Sequence, residues 1–290
     1  MKAHRQGLAQ IHAAVFLFGM SGLLGRMISA SPLVIVFGRT LLAALALGVF
    51  ILWRRQAKTE WSAARVVFVV VSGGVLATHW WTFFQAIQVS TVALALLTFS
   101  SFPLFVTFLE PVFFHERLQG PEVAAALAVT AGLALVVPNF DLATRTTQGA
   151  AWGTLSGFTF AILAVLNRKF APQMRPAVIA AGQNGVAMLV LLPLGGLSSL
   201  ELSARDAMLI LLLGLLCTAL AHGLFIQGLA RVKAQTASVI AALEPVYGIV
   251  LALIFLKEIP SARMIAGGGI ILGATVWASL RRGGIEQVRP

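Results

Sequence analysis

Apolar residues in this chain fall into ten stretches of roughly twenty, the length a helix needs to cross a bilayer's hydrocarbon core. They lie near 8–28, 32–53, 65–87, 91–111, 121–138, 149–167, 176–197, 207–229, 235–255 and 260–280. Inside that core no water can satisfy a backbone amide, so each stretch must close its hydrogen bonds on itself as an α-helix. Only 11% of residues are charged and mean hydropathy is +0.92, whereas a soluble domain carries about a quarter charged residues. Lipid must therefore solvate most of the surface. The connectors around Gln88 to Ser90 and Arg231 to Ala234 are so short that the spans they join must be antiparallel neighbours. The expected fold is an all-α membrane protein of ten transmembrane helices, with no linker long enough for a soluble domain.

The net charge of +11 could suggest nucleic acid. The cations form no stripe and no basic-aromatic module, and they sit in gaps between apolar runs, so no nucleic-acid partner is expected. They report orientation instead. One side holds Lys2, Arg5, Arg54, Arg55, Lys58, Arg65, Arg117, Arg168, Lys169, Arg175, Arg231, Lys233, Arg281, Arg282 and Arg289. The other holds only Arg26, Arg145, Arg205, Lys257 and Arg263, with Arg39 left inside span two. Fifteen cations against five place both termini in the cytoplasm. Lys2, His4 and Arg5 ahead of the apolar stretch from Leu8 look superficially like a signal peptide. No A-x-A-like site closes that stretch, so it reads as a retained first span. The single cysteine, Cys217, reads as a small packing residue.

The chain also repeats itself. Shifted by 142 residues, 83–137 aligns without a gap onto 225–279. Phe83 meets Phe225, Gln85 meets Gln227, Pro103 meets Pro245 and Glu116 meets Glu258. The same shift brings Phe18 onto Phe160 and Arg26 onto Arg168, and two extra loop residues bring Arg39 onto Gln183. The halves are drawn as 1–142 and 143–290, with five spans each. Five is odd, so the second half must enter the membrane with opposite polarity, related to the first by a pseudo-two-fold axis in the membrane plane. Secondary transporters use inverted repeats of this kind to open one central site to either side.

Each half carries a span with a mid-span proline, an apolar run and a terminal glutamate: Pro103…His115-Glu116-Arg117 and Pro245…Lys257-Glu258. With the duplication, this pattern resembles the EamA-type branch of the drug/metabolite transporter superfamily over nearly the whole chain. The resemblance implies ten helices around a central cavity and export or exchange of small metabolites. It includes amino-acid exporters of the YddG type, for aromatic and other neutral amino acids. The chain departs from the phosphate-carrying branches, because it lacks paired intramembrane Lys or Arg residues.

An ionisable residue inside a span is costly and needs a reason. Glu244 sits mid-span before Pro245, which frees a carbonyl on the preceding turn. It reads as a proton or ammonium site, or as a protonated acid bonded to a neighbouring helix. Glu110-Pro111 repeats the dipeptide out of register, since the repeat partner of Glu244 is Phe102. Glu116 and Glu258 read as structural, pairing with loop cations or backbone amides. In span three, His79 and Phe83 share one face while Trp80 and Phe84 share the next, which suits a planar or cationic ligand. The alternative there is an interfacial belt with Trp81 toward lipid.

His222 lies one residue off the register of His79. Gln183, Asn184, Asn167, Ser100 and Ser101 are polar at membrane depth, either interhelical bonds or ligand contacts. Arg39 and Gln183 are a candidate anchor between the halves, and Trp152 and Phe158 are candidate cavity walls. The expected substrate site is His79, Trp80, Phe83, Ser101, Trp152, Phe158, Gln183, His222 and Glu244, with Pro103 and Pro245 as hinges. Ala124-Ala125-Ala126 aligns with Ala266-Gly267-Gly268, small surfaces that pair spans five and ten within the chain or serve a weak homodimer.

No Walker loop, zinc pattern or nucleophile elbow occurs, so no cofactor, metal or enzyme activity is expected. The reading is an exporter of small neutral or zwitterionic metabolites, foremost aromatic or hydrophobic amino acids. Organic-cation efflux by proton exchange is the runner-up. A remoter alternative, an intramembrane hydrolase, needs a serine paired with a histidine on a neighbouring helix.

Overall fold

The computed structural model describes residues 2–54, 59–115, 118, 120–137, 141–170, 174–196, 202–229, 231–232, 237 and 240–286. Glu116, the start of span nine around Gln235, and the cations Arg55, Lys58, Arg117, Lys233 and Arg289 lie outside them. Spans one to three are the helices Lys2–Met27, Pro32–Trp53 and Ala63–Val89. Span four is broken into Val92–Phe99 and Phe102–Phe114, and span five is Gly120–Val136. Span six is Arg145–Phe170, and span seven is Pro176–Leu191 with a π-helical end, Leu192–Gly196. Span eight runs Ala204–Gly214, then a π segment Leu215–Leu220, then Ala221–Leu229. Span nine includes Glu244–Leu256 and span ten is Ala262–Glu286.

Seven of these are long and apolar enough to cross a bilayer; Gly120–Val136, Glu244–Leu256 and Ala262–Ala278 are shorter apolar helices. The spans run two to four residues past the apolar cores at several ends, because polar residues continue a helix once it reaches the headgroups. Large apolar side chains such as Leu52, Val67, Leu127 and Phe255 stand exposed around the outside, as they must where lipid is the solvent.

The inverted repeat is visible in the backbone. Helices Phe102–Phe114 and Glu244–Leu256 are both 13 residues long. They end on the left-handed residues His115 (φ 55°) and Lys257 (φ 58°), which are partners in the repeat. Their prolines open these helices rather than interrupt them. Pro103 and Pro245 each occupy the first turn, where a missing N–H leaves no bond unmade. The mid-helix proline expected from sequence is thus a break just ahead of the proline, at Ser100–Ser101 and at Ala242–Leu243.

Packing obeys the same symmetry. Gly149 of span six lies against Ser90 in the three–four connector, and Gly7 of span one lies against Arg231 and Val232 in the eight–nine connector. A Cβ at either glycine would collide with these neighbours. Spans five and ten pack through Gly132 and Gly267, so the small-residue surfaces are used within the chain. Gly269 and Gly273 face an open groove with Ala124, Ala128 and Trp277.

One face gathers the ends of several spans. Ser29 N–H donates to Asp206 Oδ1 (3.2 Å), Gln88 Nε2 donates to the Ala30 carbonyl (2.8 Å), and Arg26 Nη1 donates to the carbonyls of Ile87 and Gln88 (3.1 Å each). There Arg26 Nε lies 3.4 Å from Glu258 Oε1, and Glu258 Oε2 accepts from Val92 N–H (2.9 Å) at the start of span four. On the opposite face, Arg231 donates to Gln10 (2.6 Å), and Arg168 pairs with Glu110 (2.8 Å) beneath Phe114. Glu258 therefore meets both a cation and a backbone amide. Arg26 and Arg168, repeat partners, each hold a carboxylate at opposite ends of the molecule.

Candidate functional site

The two helix breaks bring the halves together at membrane depth around aromatic side chains. The His79 ring lies 5.1 Å from Phe160, 5.4 Å from Phe99 and 6.4 Å from Phe83 (centroid to centroid). Phe102 closes the group against Phe99 (5.7 Å) and Phe160 (5.0 Å). Spans three, four and six supply these rings. Across from them, Phe18 of span one packs on His222 (5.3 Å) and Phe225 (6.0 Å) of span eight. Trp80 touches both groups, 6.5 Å from His79 and 6.5 Å from His222. Edge-on and tilted contacts dominate, as the ring quadrupoles prefer.

Arg39 enters the same region from span two. Its guanidinium lies 3.9 Å above the Trp80 ring and 5.3 Å from Phe84. Nε and Nη2 both donate to Thr218 Oγ1, at 3.1 and 2.9 Å. Thr218 is presented by the π segment of span eight, a form common at functional sites, and its hydroxyl donates to the Leu213 carbonyl five residues back (2.9 Å). His222 Nδ1 lies 2.7 Å from the Thr218 carbonyl oxygen, so the ring is oriented by the same segment.

The nine expected site residues divide. His79, Trp80, Phe83 and His222 come together in this cluster. Glu244 stands half-buried at the start of its half-helix, close enough to Arg39 for mutual attraction. Its carboxylate has no ion-pair or hydrogen-bond partner among the described residues. The other four make contacts of their own. Ser101 Oγ donates to the Thr98 carbonyl (2.7 Å), holding the helix break. Gln183 Nε2 donates to Asn167 Oδ1 (2.7 Å) and makes an interhelical bond. Of the candidate anchor pair, Arg39 bonds across to Thr218 of the other half, while Gln183 bonds within its own half. Trp152 packs on Trp81 (5.4 Å). Phe158 is 37% exposed and packs edge-on against Phe105 (5.3 Å), away from the centre; Phe160, two residues on, is the ring that faces inward.

Sequence reasoning missed Phe99, Phe102, Phe160, Phe18 and Thr218 as members, and placed Arg39 elsewhere. A signal existed for three of them: Phe18 and Phe160 are repeat partners, and Phe102 is the repeat partner of Glu244.

The serine–histidine pair that a hydrolase would need is also present: Ser156 Oγ lies 2.9 Å from His79 Nδ1. The same His79 nitrogen contacts the Ser156 carbonyl (3.0 Å), and the serine is 0% exposed. No acid orients the ring among the described residues, so the pair has neither the third member nor the access of a nucleophilic site. It reads as a tie between spans three and six.

Two inverted five-helix halves closing on an aromatic and polar centre define a membrane transporter. The sequence model of the EamA-like transporter family matches residues 5–137 and again 147–280, and the chain belongs to this family, within the drug/metabolite transporter superfamily. The chain is similar to the uncharacterized transporter YxxF of Bacillus subtilis (strain 168), 25% identical over 281 residues covering 95% of this chain and 90% of that one. It is also similar to an uncharacterized transporter of Archaeoglobus fulgidus, 28% identical over 283 residues covering 94% and 96%. A solved structure titled only as the crystal structure of a protein shares the fold, with a TM-score of 0.67 at 20% identity over 97% and 98% of the two chains.

Proposed function

We propose that this protein exports small neutral or zwitterionic metabolites, foremost aromatic and hydrophobic amino acids, by alternating access. The observation that carries the reading is a carboxylate with no partner among the described residues, Glu244, at the start of the half-helix that follows the break in span nine, near the Arg39 that stacks on Trp80 beside the aromatic cluster. An ammonium group can be met by Glu244, and an apolar side chain by Phe83, Phe99, Phe102 and Phe160. Pro103 and Pro245 keep the breaks open, and the repeats rock about them. The site needs no cofactor and performs no covalent chemistry. The membrane is a bacterial inner membrane with both termini cytoplasmic, so the Arg26–Glu258 face is external.

The test is counterflow of labelled amino acids in proteoliposomes. Glu244→Gln keeps the shape and removes the charge; it is expected to slow phenylalanine counterflow by about threefold to fivefold. His79→Ala or Phe83→Ala removes a wall, and about a tenfold loss is expected. Complete loss in Glu244→Gln beside normal activity in His79→Ala would favour the runner-up, organic-cation efflux by proton exchange. For the hydrolase alternative, a fluorophosphonate probe is expected to leave Ser156 unlabelled. Labelling that disappears in Ser156→Ala would overturn the non-enzymatic reading.

Orientation has its own check. In a Cys217→Ala background, cysteines at positions 145 and 205 are expected to react with an impermeant maleimide in intact cells. Reaction at 205 only after permeabilisation would reverse the assignment.

A further inference from the structure

We infer that Arg39 is the anchor for the substrate's carboxylate, and that with Glu244 it sorts the two charges of a zwitterion across the centre of the membrane. This rests on the transport reading above and adds a specificity-determining residue that the aromatic cluster alone does not supply.

Arg39 is 3% exposed and lies within span two, where an isolated cation is costly. A structural role would normally give such a cation a carboxylate. None lies within ion-pair distance among the described residues. Thr218 is its one hydrogen-bond acceptor there, and it takes Nε and Nη2. Nη1 has no acceptor among the described residues. The stack on Trp80 and the two bonds to Thr218 fix the plane and rotation of the guanidinium. Thr218 cannot turn away, because its own proton is committed to Leu213. What remains is an oriented donor edge, the geometry that recognises a carboxylate.

Glu244 supplies the complement. It lies near enough to Arg39 for the two charges to influence each other, yet no ion pair joins them. Two opposite charges that attract without touching each leave one side unsatisfied. A simple anion placed between them is repelled by Glu244, and a simple cation by Arg39. A zwitterion satisfies both, with its ammonium toward span nine and its carboxylate toward span two. Its side chain then has the rings of His79, Phe99, Phe102 and Phe160 to pack on.

The repeat argues the same way. The partner of Arg39 is Gln183 and the partner of Glu244 is Phe102. Neither charge is duplicated, so each half contributes one charge at a position where the other half is neutral. The polarity of the site is therefore a product of divergence between the halves, not of their common origin.

The experiment is competition against labelled phenylalanine counterflow, using phenethylamine (no carboxylate) and 3-phenylpropionate (no ammonium). In wild type, each competitor is expected to inhibit at least about tenfold more weakly than unlabelled phenylalanine, the factor lost with one charge-assisted hydrogen bond. In Arg39→Gln the advantage over phenethylamine should shrink to within about threefold, while the advantage over 3-phenylpropionate persists. Glu244→Gln should do the reverse, and Arg39→Lys should fall between, because it keeps the charge but loses the fork. Preference is a ratio within one protein, so reduced abundance does not blur it.

If Arg39→Gln does not reach the membrane, the wild-type competition and Thr218→Val decide. Equal inhibition by phenylalanine and phenethylamine in wild type overturns the role, as does unchanged preference in Arg39→Gln or Thr218→Val. No counterflow of phenylalanine or leucine in wild type ends both this inference and the amino-acid reading. Counterflow with unaltered preference in Arg39→Gln ends this one alone.

Discussion

Pro245→Ala is expected to reduce initial counterflow by about tenfold or more, at wild-type abundance in the membrane. Proline costs a helix interior about 3 kcal/mol relative to alanine, and span nine avoids that cost by breaking at Ala242–Leu243 and starting afresh at Glu244. Alanine removes the obstacle. Its amide can bond to the carbonyl four residues back, so the helix can run continuously through the break. A straightened span nine carries Glu244 around the helix axis and away from Arg39, and welds together two segments that must tilt independently. Pro103→Ala should act in the same direction but less strongly, because the Ser101 hydroxyl on the Thr98 carbonyl still holds the break in span four. The comparison is initial rate against immunoblotted abundance for both variants. Wild-type rates in both would refute the hinge role.

The second large effect concerns the Arg26–Glu258 face, external in the proposed orientation. Glu258 binds Arg26 with one oxygen and the Val92 amide with the other, while Arg26 also holds the carbonyls that end span three. One carboxylate thus ties spans one, three, four and nine at a face that has to open. Removing its charge forfeits one charge-assisted bond, which shifts a two-state equilibrium about tenfold toward the form open at this face. The native cysteine reports this. Cys217 is fully buried and adjoins Thr218 near the centre, so its alkylation by an impermeant maleimide needs that face to open. Glu258→Gln should raise the alkylation rate about tenfold and lower net transport. An unchanged rate would mean the tie is not a gate. Arg26→Gln should match Glu258→Gln, and the double variant should add little, since both remove the same contact.

The spans were legible because lipid demands long apolar helices whatever their tertiary neighbours. The inversion was legible because an odd count leaves no alternative. Which face of each span turns inward was not, and the physical reason is the same solvent. In water, polarity marks the outside of a helix; in lipid, both sides are apolar. Phe158 and Phe160 are therefore alike in hydropathy, and both pair with a phenylalanine across the repeat, although only Phe160 joins the cluster. Polar residues misled differently. Ser101 and Gln183 satisfy themselves on a backbone carbonyl and on Asn167, as hydrogen-bonding groups in hydrocarbon tend to do. Arg39 was conspicuous, but its partner was unreadable, because Thr218 reaches it only through a π segment that no local pattern announces.

That segment also bears on the direction in which the machine rests. Span three starts after the capping serine Ser62 and span eight after Ser203. From those caps, Phe225 lies one residue further along than its partner Phe83. The surplus residue is accommodated where span eight widens into π geometry at Leu215–Leu220, while span three is helical throughout. Two identical halves would give inward- and outward-open forms of equal free energy, and the resting population would be an even split. One inserted residue, holding Arg39 from one half only, makes the two forms inequivalent before any substrate or gradient is present. Under the proposed alternating access this gives a built-in idle position, and deleting a residue from Leu215–Leu220 is the change expected to alter it.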